Sequence, residues 1–177
     1  EPATSGNDYH YKRWAKEVEG VGEANVIGLW NGNNTVKVVI INSDRQPADS
    51  TLVKRVQEYI DPDSKGIGAG QAPVGAYCTV VSAAAVPINI AVTGVSHTAT
   101  ATKSSITAAI TASITEYLKA IAFKQPYVSV AQISNIVLGV QGVTDYEAVT
   151  VNGQATKIPL TVEQVATLGT VEVTLND

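Results

Sequence analysis

Cysteine occurs once and methionine not at all in this chain of 177 residues. The single Cys78 excludes an internal disulfide, so stability has to come from packing and hydrogen bonds. Charge is scarce as well: Asp, Glu, Lys and Arg make up 16% of the residues, against roughly 25% in an average globular protein. The 12 cations are scattered and outnumbered by 16 anions, a net charge of −4, which argues against a nucleic-acid surface. Thr, Ser and Asn break the most hydrophobic stretch before it reaches the roughly 18 residues of a membrane span. No basic-then-apolar leader opens the chain, and the expectation is a soluble protein. Against these shortages stands a hydrophobic fraction of 45%, enough to build a core and to exclude overall disorder. The length suits one ordinary domain or two small ones.

Two features point to a piece of something larger. The lack of Met and the small polar start Glu1-Pro2-Ala3-Thr4-Ser5-Gly6 read as a linker or boundary. Residues 1–65 also hold 18 of the 28 charged side chains, whereas Lys103 is the one charge between 66 and 115. A surface so dilute in charge is poorly solvated, so much of this stretch is expected as core or subunit contact.

Asn7 or Asp8 can cap a first helix in which Tyr11, Trp14, Ala15 and Val18 recur at helical spacing, ended by Gly20. Two β-rich runs, 24–30 and 35–41, flank Asn31-Gly32-Asn33-Asn34, a hairpin signal because Asn and Gly tolerate positive φ. The second run, Val36-Lys37-Val38-Val39-Ile40-Ile41, has the composition of a central strand. Pro47 and Asp49 or Ser50 open a second helix with Leu52, Val53, Val56, Tyr59 and Ile60 on one stripe, closed by Asp61-Pro62. A glycine-rich loop over 64–75 leads to extended runs at 76–83 and 86–95, with Pro87 at the start of the latter. A long helix from Ser104 or Ser105 carries Ile106, Ile110, Ile114, Tyr117, Leu118 and Ile121 at intervals of three and four. Its other faces are Thr, Ala and Ser, which favour a helix weakly and call for packing. Ser129 leads into a helix over 131–138, strands are expected on both sides of Asn152-Gly153, and a last one over 169–175. The sum is an α+β fold of two small subdomains, 1–85 and 86–177, each with helices packed on a short, mainly antiparallel sheet. The order helix, glycine, strand, Asn-Gly turn, strand occurs twice, its glycines 119 residues apart and its turns 121, which suggests two similar halves.

Motifs that carry chemistry are missing. After Gly66-Ile67-Gly68 the third glycine of a dinucleotide fingerprint falls on Gln71, and after Gly70 and Gly75 the Lys and Ser of a P-loop are replaced by Ala76 and Tyr77. Asp61-Pro62-Asp63-Ser64-Lys65-Gly66 starts like a calcium loop, but Lys65 stands at a ligand position and Ala72 at the place of the bidentate Glu, leaving a helix-terminating turn. His10, His97 and Cys78 are isolated, so no metal is expected. No Gly-x-Ser-x-Gly elbow accompanies the many hydroxyls, and Cys78 lies in an apolar strand pattern where an inert thiol is the default. The carboxylate pairs Asp145/Glu147 and Glu17/Glu19 suit solvent-facing positions, and Trp14, Trp30, Tyr9 and Tyr11 suit packing. No catalytic residue, cofactor or small-molecule substrate is expected.

The residues do resemble a known family. The segment Gly6-Asn7-Asp8-Tyr9-His10-Tyr11-Lys12-Arg13-Trp14-Ala15, the Glu-x-x-Gly-Val of Glu17 to Val21, the strand from Val36, Pro73-Val74-Gly75-Ala76 and Val86-Pro87-Ile88 are together similar to the baseplate J-like proteins of contractile phage tails. The resemblance covers about residues 6–95 well and the rest loosely. It implies a structural wedge component, this chain being its C-terminal half, assembling with copies of itself and neighbouring wedge proteins. Its place would be the tail baseplate of the virion, and the host cytoplasm during assembly. Nucleic acid and membrane are not among the partners it implies. The dilute charge directs the candidate contact residues to the loop, Gly66, Gly68, Gly70, Pro73 and Gly75, and to the long helix, Thr107, Thr111 and Thr115. A carbohydrate-binding or hydrolase module is the alternative. It requires an exposed aromatic platform or a carboxylate pair about 5–10 Å apart. An all-β adhesion module is disfavoured by the long helical pattern.

Overall fold

In a computed structural model of the chain, residues 7–177 are described; the start read as a linker, residues 1–6, lies outside them. The chain forms two compact units: one runs through Ala85 and takes back Val162–Val165, the other comprises Val86–Thr161 and Ala166–Asp177. The return of four residues to the first unit has no signal in the sequence.

In the first unit, α1 (Asp8–Glu17) is capped by the Asn7 side chain, which accepts from the His10 amide, and turns Tyr11 and Ala15 inward. Strands β1 (Val21–Gly28) and β2 (Thr35–Asn42) pair antiparallel from Val21↔Asn42 to Gly28↔Val36. Their turn uses positive φ at Leu29, Gly32 and Asn34, and Thr35 Oγ1 ties it by accepting from the Asn31 amide and donating to the Gly32 carbonyl. Asp49 caps α2 (Ser50–Ile60), which buries Leu52, Val56 and Ile60. Strand β3 (Tyr77–Ser82) then runs parallel to β2 from Thr35↔Tyr77 to Ile40↔Ser82. β2 is therefore central, as its apolar run predicts, but the sheet is mixed, because α2 and the loop after it carry the chain back to the starting end. Val38, Ile40, Cys78 and Val80 on one sheet face meet Tyr11, Ala15, Leu52, Val56 and Ile60 of the helices. The returning segment is held by Asn25 Nδ2 to the Val162 carbonyl at 2.9 Å, by Ala84 N to the Glu163 carbonyl at 2.9 Å, and by the Lys37–Glu163 ion pair at 2.7 Å.

In the second unit the organising strand is β4 (Ala84–His97). Helix α3 (Lys103–Ile121) follows, starting one residue before Ser104, because Thr102 and Ser105 form a reciprocal capping box. Then come β5 (Tyr127–Val128), α4 (Val130–Gly139) capped by Ser129, β6 (Val143–Asp145), β7 (Ala148–Val151), β8 (Ile158–Pro159) and β9 (Gln164–Leu175). β7 pairs antiparallel with β4 from Ile90↔Val151 to Thr93↔Ala148, and β6 pairs further along it at Ser96 and His97. β9 runs beside β4 in the same direction, its bonds advancing from Asn89–Thr170 to Val95–Asn176. The core joins Ile88, Ile90 and Val92 of β4 to Ile106, Ile110, Ile114 and Leu118 of α3 and to Ile133 and Val137 of α4.

The expectation of two similar halves fails here. Asn152-Gly153 does make a tight turn, with φ of 51° and 76° and mutual backbone bonds between Val151 and Gln154. The strands beside it do not form a hairpin: β7 pairs with β4, and β8, only two residues long, pairs with β5. The reason lies in Asn152, whose amide donates to the Asn89 carbonyl and whose side chain bonds Asn89 N and Pro87 O, fastening the turn to β4.

Candidate interaction surface

The loop singled out in the sequence is braced from one buried carboxylate. Asp61, at the end of α2, is 1% exposed. Both of its oxygens accept from the Gly66 amide, at 3.0 and 3.3 Å, and Oδ2 also accepts from the Cys78 amide at 2.9 Å. Asp61 thus spans the two ends of the loop, a structural use that agrees with the terminating turn. The middle of the loop lies on the last carbonyls of α2, Gln71 N donating to Tyr59 O and Ala72 N to Ile60 O, at 3.0 and 2.9 Å. These carbonyls have no partner inside the helix, so the loop supplies the missing donors.

The candidate residues Gly66, Gly68, Gly70, Pro73 and Gly75 all lie within this brace. Gly70 is required by space, since a Cβ there would come within 2.5 Å of the Ile60 carbonyl oxygen. Gly68 has φ of +73° and lies under Val74, whose Cγ2 would be 2.7 Å from an added Cβ. The glycines and the half-buried Pro73 are the frame, and the groups presented outward are Ile67, 62% exposed, and Val74, 79% exposed. Sequence reasoning named the frame and missed the two side chains it displays; their signal was the presence of β-branched residues in a run of glycines. Beside Val74 an open cleft of about 570 Å³ is lined by Asp8, Tyr11, Leu29, Val36 and Ala76 among others.

The second candidate group behaves differently. Thr107, Thr111 and Thr115 are half-buried, and each hydroxyl donates to the carbonyl four residues back, Lys103, Thr107 and Thr111, at 2.7, 2.8 and 2.7 Å. Their hydroxyl protons are donated within α3. Its exposed face consists of Ser104, Ala108, Ala112, Ser113, Glu116 and Ala120. The loop lies in the first unit and the threonines in the second.

Cys78 is fully buried beneath the loop, and its thiol is pushed up to about 12, first by burial and second by the Asp61 charge. Tyr11, also buried, is raised to about 12 by burial, then by Cys78 and Asp61. The expected result is that Cys78 does not react with an aromatic disulfide reagent in the native protein at pH 8. Denaturant should release one reactive thiol per chain; full labelling without denaturant would disprove an inert buried thiol.

The other sequence candidates stay apart. Among the described residues no group of three metal-capable side chains occurs. Trp14 is half-buried and packs edge-on against Tyr11, ring centres 5.1 Å apart, whereas Trp30, 39% exposed, lies under the Lys37 ammonium at 4.5 Å. The two indoles therefore serve different neighbours and form no common platform. Glu17 pairs with Arg13 at 3.2 Å and accepts from the Tyr59 hydroxyl, which raises the Tyr59 phenol above its ordinary value; Glu19, Asp145 and Glu147 are exposed. No helix among the described residues is long and apolar enough to cross a membrane.

Two small α+β units, sparse charge and a loop braced by a buried carboxylate define the architecture, and comparison with known sequences specifies the family. The chain belongs to the baseplate J-like family: residues 3–82 match the Baseplate J-like central domain and 88–174 the Baseplate J-like protein C-terminal domain. It is 37% identical over 174 residues to the phage-like element PBSX protein XkdT of Bacillus subtilis, covering 97% of this chain and 49% of that protein. Over 97 residues it is 40% identical to the baseplate protein gp47 of Escherichia phage Mu, covering 50% of this chain and 26% of gp47. The chain thus spans about half the length of the Bacillus relative it matches. In fold it is similar to a chain of the anti-feeding prophage baseplate, with a TM-score of 0.65 at 10% identity over 92% of this chain and 37% of that one.

Proposed function

We propose that this chain is a structural segment of a phage or prophage tail baseplate, which assembles with neighbouring baseplate proteins and with copies of itself and performs no catalysis. The observation that carries this reading is the match of both successive baseplate J-like domains, in order, along nearly the whole chain. The surface agrees with it. Ile67 and Val74 stand out from a loop whose backbone is already ordered, so their burial against a partner would cost little conformational entropy. The sequence carries no charge between Lys65 and Lys103, which suits the desolvated centre of a protein interface. Nucleic acid, membrane and small-molecule substrates have no part in the proposal. The protein would be made in the host cytoplasm and reside in the baseplate of the finished particle.

Immunogold microscopy of intact and partly disassembled tails, with an antibody against this chain, tests the location; labelling at the distal end is expected, and unlabelled tails beside a reactive soluble extract would refute it. The contact is tested by Val74→Asp, which places a charge on an exposed position. We expect normal folding and stability within about 0.5 kcal/mol, together with loss of assembled tails. Tails assembled at the ordinary yield would remove the loop from the interface.

A further inference from the structure

At the end of β4 a histidine is held between two oxygen acceptors. His97 Nδ1 lies 2.8 Å from the Thr98 carbonyl oxygen and Nε2 lies 2.8 Å from Asp177 Oδ1. A neutral imidazole carries one N–H and can satisfy one of these, whereas the imidazolium carries two and satisfies both. The imidazole is 18% exposed and the Asp177 side chain 67%, so the ring is partly covered while its carboxylate partner faces solvent. Immediately beside it the Asn176 amide donates to the Val95 carbonyl at 2.9 Å, a backbone bond by which the segment after β9 is joined to β4.

We propose that His97 is a proton-operated latch, whose imidazolium form ties Asp177 and the end of the β9 segment to β4 and whose neutral form, with one N–H for two acceptors, holds them less tightly.

The strands beside this end of β4 carry acidic side chains and no cations. β6 pairs along the same end of β4 and brings Asp145, opposite Ser96. Glu147 faces Gly94, and β9 carries Glu172 and the segment after it Asp177. None of β4, β6, β7 and β9 bears Lys or Arg; the nearest cation along the chain is Lys103 in the first turn of α3. Its two hydrogen bonds raise the ring above its ordinary range, first that to Asp177 and second that to the Thr98 carbonyl, against a smaller opposing effect of burial. A raised folded-state value means that the latch contributes fully below about pH 6.5, the ordinary histidine value, and is lost as pH rises through the raised midpoint.

The chain has two histidines, His10 and His97, so the ring C–H signals of the intact protein can be followed by NMR without crowding. The expected result is a His97 midpoint above about 6.5 that moves down by roughly half a pH unit or more in Asp177→Asn. Hydrogen exchange at the Asn176 amide, corrected for its intrinsic pH dependence, should lose protection by up to about tenfold for each pH unit that the midpoint lies above 6.5. In His97→Gln, which retains one donor, this protection should no longer depend on pH. A midpoint at or below about 6.5, or one unmoved by Asp177→Asn, overturns the proposal. So does a raised midpoint with Asn176 protection that stays flat across it. Both positions lie at the edge of the second unit, and a folded spectrum in each variant keeps the comparison valid.

Discussion

Asp61→Ala lowers the unfolding free energy by roughly 2–5 kcal/mol, read from urea denaturation followed by tryptophan fluorescence. Both indoles, Trp14 and Trp30, lie in the first unit, so the probe reports the part of the chain that contains Asp61. The magnitude follows from what is left behind. The carboxylate satisfies the Gly66 and Cys78 amides at a position 1% exposed. Alanine leaves two buried donors without acceptors, each costing about 1–3 kcal/mol. Asp61→Asn separates charge from shape: it keeps the volume but turns an N–H toward one of the two amides, so a loss of about 1–3 kcal/mol is expected. The loop should loosen before the unit unfolds, seen as faster exchange of the Gln71 and Ala72 amides that now bind α2. A change below about 0.5 kcal/mol in Asp61→Ala, within the scatter of surface substitutions, would show that the loop is held by something else.

The second large effect is in the other unit. Ile114→Ala in α3 is expected to cost about 2–5 kcal/mol, through lost burial and the cavity left behind. Ile114 is fully buried near the middle of the 19-residue helix, in the core cluster of β4, α3 and α4. Because α3 is the longest helix described, circular dichroism at 222 nm is the suitable probe. Ala112→Ser, two positions away on the exposed face, should stay within about 0.5 kcal/mol. Equal losses in the two variants would mean that α3 is not oriented as described.

How much of this could be read beforehand depends on the range of the interactions. Asn7, Asp49 and Ser129 each cap the helix the sequence predicts, because a cap bonds an amide three residues away. The isoleucines of α3 announce its buried face by spacing alone. The parallel pairing of β2 with β3 and the attachment of β7 to β4 join residues tens of positions apart, and nothing in the local pattern selects the partner. The Asn152-Gly153 turn shows the limit plainly: its backbone conformation follows from the residue types, while its neighbours in the sheet were chosen by β4. The candidate contact residues divide in the same way. Runs of glycine mark the loop, yet only the brace from Asp61 makes Ile67 and Val74 the exposed pair, and only the geometry of α3 shows that its threonine hydroxyls are engaged along the helix.

By itself the sequence determined the helices, the central strand, the caps and turns, the absence of a motif for metal or nucleotide, and the resemblance to baseplate J-like proteins that the family match bears out. These rest on contacts within a few residues or on a continuous pattern of residues. Tertiary structure decided which strands pair, that Val162–Val165 returns to the first unit, that Asp61 and Cys78 lie buried together, and that His97 meets Asp177. Each of these depends on groups brought together by a chain that closes long loops, where the shared burial of apolar faces selects one arrangement from many that local preference allows equally.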